Sequence, residues 1–173
     1  MRHGAWSMLG AVGVLLLTSG CVAIEAGHEG VMVEQPFFFG HGGVDPAPSK
    51  TGRVWVAPTT KVIEVDVRPL QYSEHFDIIS AENAPVSFDA FMIANVVESR
   101  SPELISRYGP NWYQNNVKEA FRTFVREEVQ RYPLFQLTTD PTTRTKLQDA
   151  IAREVQNKLI DKQNMPIRLN RVV

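Results

Sequence analysis

The sequence predicts an α+β domain: a mostly antiparallel sheet with two amphipathic helices packed on it, behind an N-terminal signal or anchor segment. Three observations lead there. Between residues 22 and 97 the apolar residues come in β-branched, often alternating runs. Past Ser101-Pro102 their spacing changes to that of a helix, and it returns to a strand at the end. In front of all this lie 20 uncharged residues, Ala5 to Ile24, with no place in either pattern.

The opening segment has the three parts of a secretory signal. Arg2 and the terminal amine are positive, Met8 to Leu17 is apolar, and the small residues Thr18-Ser19-Gly20 stand before Cys21. Leu17-Thr18-Ser19-Gly20-Cys21 resembles the bacterial lipobox, whose cysteine is acylated after cleavage in front of it. The expected division is therefore a signal over residues 1–20, lipidation at Cys21, and a folded domain over 22–173. An uncleaved anchor is the second reading, because a helix of such length spans roughly 30 Å, the thickness of the hydrocarbon layer. A buried apolar segment with an incidental thiol is the third. Both membrane readings place the domain outside the cytoplasm, on the periplasmic side of a bacterial envelope.

The body is then read element by element. Gly30-Val31-Met32-Val33-Glu34 is a strand, and Gly40 to Pro48 is a loop by its glycines and prolines. Arg53 to Ala57 and Lys61 to Arg68 are β-branched runs separated by a Pro-Thr-Thr turn. In the second run Ile63, Val65 and Val67 alternate with Glu64, Asp66 and Arg68, as in a strand with one wet face. Val86 to Val97 is a long strand with Val86, Phe88, Ala90, Met92 and Ala94 on one side. Val117, Phe121, Phe124, Val125, Val129 and Tyr132 trace one stripe of a helix. Asp140-Pro141 opens the second helix, Asp as N-cap and Pro at the first helical position. Its stripe is Leu147, Ala150, Ile151, Val155 and Leu159, and Ile167 to Val173 closes the chain as a strand.

Composition excludes several functions. The 18 Lys+Arg against 19 Asp+Glu leave a net charge of −1, and nucleic-acid binding needs a basic surplus on one face. One cysteine excludes an internal disulfide framework and a cysteine-rich zinc site. His3, His28, His41 and His75 lack metal-ligand spacing, so no cofactor or metal is expected. Nor is a catalytic residue: Glu64 and Asp66 share a strand face, but such a pair needs a shielded pocket to do chemistry. Gly40-His41-Gly42-Gly43 lacks the Lys-Ser/Thr and the helix of a phosphate loop. Phe37-Phe38-Phe39 has two readings. Core packing is the ordinary one; in an anchored domain the cluster could instead dip into the headgroup zone. Tyr108 to Tyr113 reads as a helix lead-in whose aromatics fasten the helix to the sheet.

The order of these segments resembles the SPFH (band 7) family, the group of stomatin, prohibitin and flotillin. Glu25-Ala26-Gly27-His28-Glu29-Gly30-Val31 is similar to the family's opening turn and strand, and Lys61 to Arg68 to its Val-Asp-Val-Arg strand. Asn83-Ala84-Pro85-Val86-Ser87-Phe88-Asp89-Ala90, Arg107-Tyr108-Gly109, Ala120-Phe121-Arg122 and Asp149 to Gln163 follow in the family's order. Ala26 stands where proline is usual and Ala84 where glycine is, so those two turns are expected to differ. The resemblance implies a non-enzymatic scaffold that forms homo-oligomers on a membrane and organises or restrains neighbours, membrane proteases among them. Family members continue into a long assembly helix, so either this sequence is a piece of a longer protein or assembly rests on the domain alone. The alternative function is a small ligand-binding lipoprotein.

Overall fold

The strands form three antiparallel sheets rather than one, because the first half of the chain folds into short ribbons before the long strands begin. The computed structural model describes residues 20–38, 42–48 and 51–173. The signal-like segment up to Ser19, and Phe39, Gly40 and His41, lie outside the described residues.

Strand β1 (Gly20–Ile24) pairs with β4 (Gly52–Val56). Strand β2 (His28–Glu34) lies between β5 (Thr60–Asp66) and the two-residue β3 (Gly43–Val44). The long strands β6 (Leu70–Ile79) and β7 (Pro85–Val96) run side by side, with β8 (Ile167–Val172) on the other flank of β7. Four helices cross the chain's second half: α1 (Ser101–Tyr108), α2 (Lys118–Val129), α3 (Leu134–Thr139) and α4 (Pro141–Glu154). A π turn, Tyr113–Val117, leads into α2, and a second, Val155–Asp161, extends α4.

The expected stripes do the packing. Phe121, Val125 and Val129 on α2 are buried, as are Ile151, Val155 and Leu159 along α4 and its extension. They meet the inner face of the long sheet, where Phe76, Ile78, Ala90, Met92, Ala94 and Val96 are buried in alternation. Phe121 stands edge-on to Phe76, their rings 6.4 Å apart. The aromatics ahead of α2 do reach the sheet: Tyr113 stacks on Tyr72 of β6 at 4.0 Å, and Trp112 meets the same ring at 5.6 Å. Burial of the Tyr72 hydroxyl, helped by the charge of Asp66, pushes its pKa up to about 12.

Both turns that depart from the family pattern still close. His28 N–H donates to Glu25 O at 3.1 Å, and Gly27 takes φ +82°. That is the third position of a type II turn, which tolerates Ala26 in the second. A Cβ on Gly27 would also stand 2.6 Å from Arg68 Cδ. At the other turn the left-handed residue is Asn83, φ 59°, not Ala84, so no glycine is needed at 84. Gly30 makes room for its neighbour: a Cβ there would press on the end of the Ile24 side chain, where β1 crosses β2.

Five elements depart from the sequence expectation. Strand β1 begins at Gly20, inside the segment read as signal. Strand β3 interrupts the Gly40–Pro48 loop. Strand β6 escaped because one of its inward positions is Glu74, which breaks the apolar alternation. Helices α1 and α3 have 8 and 6 residues, too short for a periodic stripe, and α3 buries none of them. Asp140 does cap α4 as expected, accepting from Thr142 N–H at 2.9 Å and from the Thr143 hydroxyl at 2.6 Å.

Candidate functional site

Cys21, the one residue assigned a role from sequence, is exposed and lies in β1 directly opposite Trp55 of β4. Cross-strand partners project to the same side of a ribbon, so the thiol and the indole share a face. Trp55 is 70% exposed, although a side chain of that size is usually at least partly covered.

The strands then carry Phe37 and Phe38 to the same end of the domain. Gly20 pairs with Val56, and Glu34 of β2 with Thr60 of β5. Gln35 N–H donates to Thr59 O at 2.8 Å, and Thr60 N–H to Ala57 O at 2.9 Å. Phe37 is 75% and Phe38 91% exposed, which overturns core packing as the account of these two rings; Phe39 is outside the described residues. Sequence could not separate the two accounts, because exposure depends on the β2–β5 pairing that leaves the segment beyond Glu34 without a layer above it.

The other candidates are structural. Asp66 accepts from Arg68 Nε at 2.9 Å and Nη2 at 2.7 Å, and His28 Nε2 stands 3.7 Å from it. The Arg68 hydrogen bond holds the Asp66 carboxyl below its ordinary range. Glu64 points to solvent. The two carboxylates border one groove of about 280 Å³ beside Tyr72 and Trp112, but Glu64 is exposed there, so the pair lacks the shielding that chemistry needs. His41, the expected neighbour of His28, lies outside the described residues. Among the described residues no group of three or more His, Cys, Asp or Glu side chains could hold a metal ion. No described helix is long and apolar enough to cross a membrane.

Three carboxylates are buried, Glu29, Glu74 and Glu128, none of them singled out in the sequence as buried, and the first two join the halves of the fold. Glu29 on β2 is 6% exposed. It accepts from Ser99 N–H at 2.6 Å and from the Ser101 hydroxyl, fastening the first turn of α1 to the strand. Glu74 on β6 is equally buried; it meets Arg122 Nη1 at 3.0 Å, Lys118 Nζ at 3.3 Å and the Tyr113 hydroxyl at 3.2 Å. Arg122 also donates to His75 O at 3.1 Å. A lone acidic residue among apolar ones was the available signal. On the outer face, His75 Nδ1 lies 2.8 Å from Asp89, and Ser87 donates to Asp77 beside it. That cluster is exposed, and the serine bonds the aspartate rather than the imidazole, so it has no activated nucleophile. A groove of about 400 Å³ is lined mainly by apolar side chains of β7, α2, α3 and α4, among them Phe88, Val125, Leu137 and Leu147.

Three antiparallel sheets with helices packed on the longest fit the α+β plan that the resemblance implies. The SPFH domain / Band 7 family model matches residues 22–172. The chain belongs to that family. No curated relative matches it. SPFH domains are in general membrane scaffold modules rather than enzymes, and in this one Phe37, Phe38 and Trp55 are exposed at the end where Cys21 lies, while Phe135 is exposed on α3.

Proposed function

We propose that this SPFH protein is a membrane-anchored scaffold. Its copies assemble side by side on the periplasmic side of a bacterial membrane and organise or restrain neighbouring membrane proteins, proteases among them. The observation that carries the reading is the position of Cys21. It is exposed, it stands one residue ahead of the family match, and it belongs to the first strand of the folded domain. Acyl chains on that thiol would attach without a linker and hold every copy in one orientation, which raises the effective concentration for lateral contact. Two or more chains give durable attachment where one is marginal. The apolar run Met8–Leu17 supports the same reading as an uncleaved anchor.

Metabolic labelling with palmitate tests the lipid. The wild-type chain should take up label and Cys21→Ser should not; equal label in both eliminates acylation at this residue. Sedimentation in mild detergent tests the scaffold: the full chain should run as a large assembly, and a monomer at all concentrations refutes it. The groove beside β7 favours a second reading, a lipoprotein that binds a small apolar ligand. Under that reading the detergent-solubilised chain is monomeric and gains thermal stability from such a ligand.

A further inference from the structure

Strand β7 outruns one of its two neighbours. On one flank β6 pairs with it from Pro85 to Ala94. On the other, β8 reaches only from Val96 to Phe91, whose N–H and carbonyl both bond Val173 at 2.8 Å. Val86 to Ala90 therefore form an open edge, roughly 14 Å long at the rise of an antiparallel strand. Along such a strand the N–H and C=O of one residue point to one flank, and the flank alternates from residue to residue. Since Phe91 turns its pair toward β8, so do Ser87 and Asp89, and among the described residues no backbone group bonds them there. Their side chains are engaged on the outer face of the sheet, Ser87 with Asp77 and Asp89 with His75. Both residues nevertheless border the apolar groove between β7 and the helices. Opposite this edge stand Val129 of α2, Leu137 of α3 and Leu147 of α4.

We infer that this edge is a strand-docking site: an extended segment of a partner protein lies in the groove, continues the line of β8 and hydrogen-bonds to Ser87 and Asp89. Two features of the groove choose this occupant. Its edge offers two backbone donors and two backbone acceptors in the spacing of a β-ladder, which another backbone satisfies in register. Its space of about 400 Å³ between edge and helices admits a single extended segment, not the edge of a second folded sheet. Side chains of the incoming strand alternate. Those beside Phe88 and Ala90 turn inward against Val129, Leu137 and Leu147 and must be apolar; those beside Ser87 and Asp89 face water and must be polar. The inference deepens the scaffold reading, on which it rests for its purpose: the edge is the grip by which a neighbouring protein is held.

The probe is an acetylated and amidated peptide in which valine alternates with threonine, with a lysine at each end for solubility. It is added to the detergent-solubilised full chain, and hydrogen–deuterium exchange is followed by mass spectrometry with fragmentation to single residues. Without peptide, Ser87 and Asp89 should exchange fast and Phe88 and Ala90 slowly; with peptide, the first two should slow by about tenfold or more. The same peptide N-methylated at alternate residues, on the amides that face β7, should fail to bind. Ser87→Pro removes one edge donor without touching the β6 ladder and should also abolish protection at Asp89. No binding up to about 1 mM peptide overturns the inference. Equal binding of the methylated peptide overturns it too, since the groove then takes apolar groups without a ladder. So does slow exchange at Ser87 and Asp89 in the peptide-free chain, where the same chain or a second copy already covers the edge. Sedimentation of the same sample separates the two readings: a large assembly that ignores the peptide leaves the scaffold and refutes the strand site, whereas a monomer that binds it in the ladder refutes the scaffold and supports the site.

Discussion

Removing the Glu29 carboxylate should loosen the join between the strand half and the helix half. Ser99 N–H and the Ser101 hydroxyl both donate to it, Ser101 is fully buried, and Ser99 sits at φ 65°, an uncommon place for a residue other than glycine. A hydrogen bond to a charged group contributes about 1.5–3 kcal/mol, and a buried donor left unsatisfied costs a similar amount. Glu29→Ala loses two, so the expected destabilisation is about 3–5 kcal/mol, a drop in Tm on the order of 10 °C. Glu29→Gln keeps one acceptor for Ser99 N–H and can donate to the Ser101 oxygen, so it should lose only about 1–2 kcal/mol. Urea unfolding of the wild type, Glu29→Ala, Ser101→Ala and the double variant would give a coupling energy of about 1–2 kcal/mol if the two side chains interact as described. The exposed Glu64→Ala on the neighbouring strand is the control and should stay within about 0.5 kcal/mol of wild type. A loss under about 1 kcal/mol for Glu29→Ala, or equal losses for the Ala and Gln variants, would refute the reasoning.

Glu74→Ala strands Arg122, Lys118 and the Tyr113 hydroxyl around an apolar site; breaking a buried pair in this way should cost about 3 kcal/mol by denaturant unfolding, with the larger share in the unfolding rate if α2 docks late. The His75 imidazole is held above its ordinary pKa by its hydrogen bond to Asp89 and, more weakly, by Asp77. A raised folded value means the contact stabilises fully below the ordinary histidine pKa and fades as pH rises through the raised one, so an NMR titration should show His75 titrating late and Asp89→Asn bringing it back down. Asp77, lowered by its Ser87 hydrogen bond, should behave oppositely, its contribution fading as acid takes pH down through the lowered value. Asp140→Ala should speed amide exchange at Thr142 and Thr143 in the first turn of α4 and leave α2 unchanged.

Periodicity is a local property, and what it determines here is local. The stripes of α2 and α4, the alternation of β5 and β7, and the Asp140 cap were all legible because each uses residues within one or two turns or one strand face. So was the order of segments that marks an SPFH domain. Pairing across the chain was not legible. Glu29 meets Ser101 across 72 positions and Glu74 meets Arg122 across 48, and no neighbouring residue announces either contact. The same holds for the surface. Phe37-Phe38-Phe39 stood out as a cluster, but only the registers Cys21↔Trp55 and Glu34↔Thr60 bring Phe37 and Phe38 to the same end of the strands as Trp55. Burial belongs to the assembled layers: a side chain is in the core only if another element covers it, and that is decided by the tertiary fold.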